Sequence, residues 1–464
     1  MLDDAWATRS ATELEAALRA GEISSRGLLE LYLDRIERLD GPLNAVITLA
    51  TQRAFAEADA ADAMVAAGEP LPPLHGLPVT IKDAIETAGI RSTGGAIELM
   101  EHVPAHDAPA VGRLRAAGAI VFGKTNLPRW SGDVQSFNEM FGTTNNPWDL
   151  TRIPGGSSGG PAVAVAAGLT AFELGTDIGG SVRIPSHCCG TFGLKPSFGV
   201  IPQRGYLDSI GGGTTDADIN VFGPMARSAD DLDLLLSVLA GPVPDDEPAW
   251  RIDLPPSRFE SLEGVRLATW LDDPLMPGER AMVDVLRAAA DAARAAGAIV
   301  TEVRPPVDPA EQIEVYNALI GPAVSVSAPR EVGDVMAGNH GEWLRRQRQR
   351  AALRARWSAW FADYDALLAP VLCTTAFPHL QEGDFASRRL LVDGAERPYL
   401  AVVWWTGMFG VLGLPSAVPP IGRTVDGLPV GIQVVTPYLR DRDAVRLAGL
   451  LAGVAGGYEP PPGC

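Results

Sequence analysis

Cysteine is scarce. Cys188, Cys189, Cys373 and Cys464 are the only four in 464 residues. Neighbours such as Cys188 and Cys189 rarely bridge each other, and no C-x-x-C pair or Cys/His ligand spacing occurs, which argues against a disulfide scaffold and a structural zinc site. Basic residues are also few, 38 Lys and Arg against 57 Asp and Glu, for a net charge of −19. Such a surface has little with which to neutralise a phosphate backbone, which argues against nucleic acid as a partner. The one basic run, "RRQRQRAALRAR" (345–356), reads as a solvated helix face. Long apolar runs are missing too: "AVAVAAGLTAF" stops well short of a membrane span. "MLDDAWATRS" at the N-terminus lacks the basic and apolar regions of a secretory signal, so the expectation is a soluble, cytoplasmic protein.

What is present is alternation. "SATELEAALRAG" opens with a capping box, Ser10 to Glu13, and closes at Gly21. "SSRGLLELYLDRIERLDG" puts Leu28, Leu29, Tyr32, Leu33 and Ile36 on one helical stripe, and an alanine-rich helix follows over about 51–67. "LHGLPVTIKD" is a proline-bounded strand ending at Lys82 and Asp83. Beyond it come strands such as "AIVFGKT", "AFELGTD", "VRLATWL", "AIVTEV", "ALLAPVL" and "LPVGIQVVTP", separated by helical stretches. This pattern predicts an α/β fold with a mostly parallel or mixed β-sheet covered by helices on both faces. The whole chain, 1–464, reads as one domain. Its N-terminal helices cover about 10–67, its core about 72–245, and a C-terminal part of the same sheet about 260–455. The Pro/Asp-rich piece 242–256 reads as a surface loop.

Two motif matches fail on physical grounds. "GAIVFGKT", Gly118–Thr125, fits the phosphate-loop pattern G-x-x-x-x-G-K-[ST] letter for letter. Its variable positions are Ala, Ile, Val and Phe, a strand that needs its N–H groups for a sheet, and "NLP" follows instead of a helix. "GGSSG", Gly155–Gly159, fits the G-x-S-x-G elbow, yet "NNPWDLTRIP" before it is a loop and not a buried strand. His187, His340 and His379 fall in no arrangement that would complete a triad.

"GTDIGGSVRIPSHCCG" (175–190) places Ser181 after two glycines, with Asp177 and Arg183 on either side. Serine is inert without a base. With histidine unsupported, carboxylates and a lysine of lowered pKa remain, and burial disfavours the ammonium form. Lys82, at the end of an apolar strand, suits that role; taken alone, a strand-end lysine reads as solvent-exposed.

"HGLPVTIKD", "GGSSGG" and "GTDIGGSVRIP", in this order, resemble the amidase signature family. Residues 155–186 follow that family's pattern at nearly every position, with Glu173 where a small residue is usual and Pro161 where small or polar residues are common. "FGTTNNPWD" (141–149), "GPMARSADDL" (223–232) and "GLPSAVPP…GLPVGIQVVTP" (413–437) extend the likeness over about residues 10–455. The resemblance implies the family's α/β/α sandwich and a Ser–cis-Ser–Lys triad. Ser181 is then the nucleophile, Ser157 the bridging serine after a cis peptide, and Lys82 the base, with separations of 75 and 24 residues along the chain. It further implies an oxyanion hole from the N–H groups of Ile178, Gly179, Gly180 and Ser181, and an acyl pocket bordered by Trp130, Ser131 and Gly132. Asp177 and Arg183 are assigned to an ion pair that holds the nucleophile's loop, and Ser158 to support of the Lys82 or the Ser157 hydroxyl network. No metal and no cofactor is called for.

The substrate expected is a small molecule. Trp404, Trp405, Met408 and Phe409 make a late segment apolar, and at least two of the four are expected to be core packing. An apolar or aryl amide, an anilide or a carbamate (urethane) is favoured over glutamine. Two alternatives stand beside this: the glutaminase subunit of a tRNA-dependent amidotransferase, and a nucleotide-binding protein using Gly118–Thr125. No membrane partner is expected, and a homodimer is the assembly considered.

Overall fold

The computed structural model describes residues 2–464. In chain order its strands are β1 (Val46–Leu49), β2 (Pro78–Lys82), β3 (Ile120–Thr125), β4 (Phe137–Asn138), β5 (Gly142–Thr143) and β6 (Glu173–Asp177). Then come β7 (Phe192–Lys195), β8 (Val221–Ala226), β9 (Arg266–Thr269), β10 (Ile299–Glu302) and β11 (Ala366–Pro370). The last are β12 (Arg389–Val392), β13 (Ala395–Pro398), β14 (Ser416–Val418), β15 (Pro420–Arg423) and β16 (Pro429–Val435).

Nine strands form the main sheet, in the order β10-β9-β11-β16-β14-β7-β8-β6, with β15 paired to β16. Its side chains alternate between two cores, as a pleat of period two requires. Ala366 and Leu368 of β11 enter one, shared with the helices Ala11–Arg19, Ala229–Leu239 and Asp441–Ala455. Leu367 and Ala369 enter the other, shared with Pro309–Val324 and His340–Trp360. The sheet is therefore covered by helices on both faces, an α/β fold with a large mixed sheet.

It is mixed with an antiparallel majority. β10, β9 and β11 are parallel, whereas every neighbouring pair from β11 to β6 is antiparallel. β6 and β7 run the same way, but β8 enters reversed between them. The sequence hid β8 because "VFGPMA" carries Gly223 and Pro224, residues that ordinarily mark a turn. Gly223 is required there, since a Cβ would lie 2.1 Å from the Leu194 carbonyl oxygen.

Local signals are visible where they were expected. Ser10 Oγ accepts from Glu13 N–H at 3.1 Å while Glu13 Oε2 accepts from Ser10 N–H at 2.9 Å, closing the capping box on the first α-helix. In the basic run, Arg345, Arg346, Arg350 and Arg356 pair with Glu342, Glu314, Asp218 and Glu311. Gly118–Thr125 is no phosphate loop. Residues 120–125 are β3, hydrogen-bonded to both β1 and β2, and Lys124 is buried with Nζ donating to the Ile85 carbonyl at 2.5 Å and Thr87 Oγ1 at 2.8 Å. Among the described residues no helix is long and apolar enough to cross a membrane.

Candidate active site

β2 delivers Lys82 to the interior. Every residue of Pro78–Lys82 is buried, and Lys82 itself is 0% exposed. Its Nζ lies 2.7 Å from Ser157 Oγ and 2.7 Å from Thr176 Oγ1 on β6. Burial drives its pKa well below the usual lysine value, against the opposing pull of the Asp177 and Glu173 carboxylates. An amine so placed is equipped to be neutral and to take a proton.

Ser157 follows a cis peptide from Gly156 and is also fully buried. Gly156 must lack a side chain, because a Cβ would meet Val134 and Gln135 main-chain atoms at 2.7 and 2.8 Å. Ser136 ties the loop together: its Oγ donates to the Gly155 carbonyl at 3.1 Å and accepts from Gly159 N–H at 3.0 Å. Ser158 is placed differently from expectation. Its Oγ donates to the Thr176 carbonyl and accepts from Thr176 N–H, both at 3.3 Å. Its hydroxyl thus holds β6 and touches neither Lys82 nor Ser157; the Lys82 contact is made by Thr176 instead.

Ser181 sits on the loop after β6 and is joined to this cluster by the main chain, Ser158 N–H donating to the Ser181 carbonyl at 3.1 Å. Its side chain borders a cavity of about 540 Å³. The loop is held from below by Asp177 and Arg183, both fully buried and paired at 2.8 Å. Asp177 also accepts from Val182 N–H at 3.2 Å, and Arg183 reaches the Thr406 carbonyl and Gln433 Oε1 at 2.8 Å each. Burial pushes the Asp177 carboxyl up, but the Arg183 charge and hydrogen bonds outweigh it and leave the pKa below the ordinary value.

One of the N–H groups expected in the oxyanion hole already has a partner in the loop. Gly180 N–H donates to Asp177 Oδ1 at 2.9 Å, so it is engaged inside the loop. Gly180 serves by its shape: φ is +116°, and a Cβ would lie 2.5 Å from Thr406 Oγ1. Among the described residues, the N–H groups of Ile178, Gly179 and Ser181 have no protein acceptor. Ile178 and Gly179 line the same cavity as Ser181.

Trp130, Ser131 and Gly132 all line that cavity. Trp130 and Ser131 are both left-handed, φ +51° and +56°, a bend no local sequence signal announces. The far wall is apolar, with Ile320, Val324, Met336 and Val403. The late aromatics do not form it. Trp405, Met408 and Phe409 are fully buried in the core, and Trp404 faces a separate pocket. Leu400 and Val403 line the cavity in their place. Sequence reasoning also missed Tyr206 and Asp208, from a loop without motif. Asp133 and Asp208 are the charged residues lining the cavity. Asp133 is paired with Arg388 at 2.5 Å and accepts from Tyr399 Oη at 2.8 Å, while Asp208 accepts from Ser209 Oγ at 3.1 Å.

Fold and geometry together place a buried amine against the Ser157 hydroxyl, beside the loop that carries Ser181 into a cavity. The Amidase family model matches residues 27–329 and 314–445. A glutamyl-tRNA(Gln) amidotransferase subunit of Deinococcus radiodurans is 33% identical over 493 residues, covering 97% of this chain and 98% of that protein. A solved structure from a vestigial complex bearing on the origins of an s-triazine catabolic enzyme superposes with a TM-score of 0.85 at 28% identity, covering 97% of this chain and 100% of the other. A bacterial aryl acylamidase of the amidase signature family gives 0.84 at 26%, covering 97% and 96%. The chain belongs to the amidase signature family. The Deinococcus relative agrees with the amidotransferase alternative more than with aryl amides.

Proposed function

We propose that this protein is an amidohydrolase that cleaves the C–N bond of neutral, apolar amides, anilides or carbamates through an acyl-serine. The observation that carries the reading is Lys82 Nζ, sealed from solvent 2.7 Å from Ser157 Oγ beneath a cavity that Ser181 lines. A neutral amine has two N–H groups and one lone pair. Lys82 donates one N–H to Thr176 Oγ1 and accepts the Ser157 proton on its lone pair. Ser157 in turn takes the proton of Ser181 once that hydroxyl turns toward it, and Ser181 Oγ attacks the carbonyl. Free N–H groups at Ile178, Gly179 and Ser181 face the developing oxyanion. The relayed proton leaves with the amine, and water releases the acid by the reverse path.

Cavity chemistry supports the substrate class. Its far wall is apolar, its charged lining residues are the carboxylates Asp133 and Asp208, and no Lys or Arg lines it. Glutamine, a zwitterion, would find no cation for its carboxylate. A second reading, a glutamine-hydrolysing amidotransferase component, draws on the Deinococcus relative and on Asp208, a carboxylate available to an ammonium group. Steady-state kinetics separate the two. The purified chain should hydrolyse an acyl anilide with a kcat/KM at least about tenfold above that for glutamine, and Ser181→Ala should abolish the acyl-enzyme seen by mass spectrometry. A preference for glutamine would transfer the reading to the second; undiminished turnover by Ser181→Ala would end both.

A further inference from the structure

A second cavity, of about 210 Å³, lies on the other ridge of the short 3₁₀ helix Tyr399–Val403. With three residues per turn, positions i and i+3 share a ridge. Leu400 and Val403 border the Ser181 cavity, whereas Ala401 and Trp404 border the second one. Its walls are apolar: Pro274, Met276, Pro277 and Pro398.

Two donors at this cavity are orphaned. The Arg397 guanidinium makes no hydrogen bond or ion pair with any described residue, and its Nε is sealed without a partner. Trp404 Nε1 is likewise buried and unpartnered. The third polar group is the Cys373 thiol, whose pKa burial pushes up to about 12, so it remains an S–H. No carboxylate lines the space. Buried polar groups are overwhelmingly paired in folded proteins, so donors gathered around one cavity without an acceptor describe the complement of an acceptor ligand. One guanidinium balances one negative charge, and its planar fork matches a carboxylate. A dianion would leave charge uncompensated among prolines and methionine.

We propose that this second cavity binds a small monocarboxylate with an apolar body, its carboxylate on Arg397 and Trp404 and its body against the proline and methionine walls. A ligand there packs on the helix that also carries Leu400 and Val403, so occupancy reaches the wall of the Ser181 cavity through one rigid turn. Acids of this kind are also what C–N hydrolysis of an amide releases.

The test is binding, read without turnover, and so independent of the catalytic proposal. The fluorine NMR line of 4-fluorobenzoate is followed on titration with the intact protein. Saturable broadening with a Kd in about the millimolar range is expected, with none for uncharged 4-fluoroacetophenone. Arg397→Gln should weaken binding about tenfold or more, and Trp404→Phe about threefold. Arg397 has no protein partner to strand, and an unchanged melting curve verifies that the variant is folded. Absence of saturation overturns the proposal, as does equal affinity of wild type and Arg397→Gln, which would place the probe elsewhere.

Discussion

Glu173 occupies a buried position on β6, and replacing it with Gln should both stabilise the protein at alkaline pH and move its activity profile. Its Oε1 accepts from Thr125 Oγ1 at 2.9 Å and its Oε2 from Leu174 N–H at 3.0 Å. Burial pushes its pKa from 4.5 up to about 7. Between those values the unfolded chain has released the proton that the folded chain still holds, so stability falls as pH rises through that window. At 1.36 kcal/mol per unit, the group removes about 2 kcal/mol of stability between about pH 5.5 and pH 8.5. Glutamine keeps the shape without the charge: its carbonyl can accept from Leu174 N–H, and its amide can donate to Thr125, whose hydroxyl turns to accept. Denaturant unfolding of wild type and Glu173→Gln at the two pH values should therefore show the variant losing about 2 kcal/mol less than wild type on going from acid to alkali. The Glu173 carboxylate also raises the pKa of Lys82, so its removal should shift the acidic limb of kcat/KM to lower pH. Equal pH dependence of stability in the two proteins would refute the buried, proton-retaining carboxyl; a limb that moves to higher pH would refute the coupling to Lys82.

Two further outcomes follow from the site. Thr176→Val strips Lys82 of one of its two partners at nearly constant volume, and kcat for an anilide should fall about tenfold or more with KM little changed; an unaltered kcat in steady-state assays would remove Thr176 from the catalytic network. Asp177→Asn leaves the buried Arg183 without its counter-charge, and denaturant unfolding should register a loss of about 3–5 kcal/mol; a loss below about 1 kcal/mol would show that Arg183 is held by Thr406 and Gln433 alone.

The chain's own letters carried the local architecture. Capping at Ser10, helical stripes and the alternation of strands and helices all depend on neighbours a few residues apart, where backbone preference and side-chain spacing act directly; the short motifs around Lys82, Ser157 and Ser181 are each readable in place, although 75 and 24 residues separate the three. The rejection of Gly118–Thr125 as a phosphate loop is of the same kind, because Ala, Ile, Val and Phe already dictate a strand.

Other features depend on residues far apart in the chain. That Lys82 is sealed from water, and that Thr176 is its second partner and Ser158 is not, are outcomes of β2, β6 and the glycine loop packing together. The late apolar segment shows the same limit: Trp405, Met408 and Phe409 are as apolar as a pocket wall, but hydrophobicity alone does not say which cavity a side chain faces. Propensity is local and legible along the chain, whereas burial, hydrogen-bond partners and pKa shifts are properties of a surface that exists only once distant segments have closed on one another.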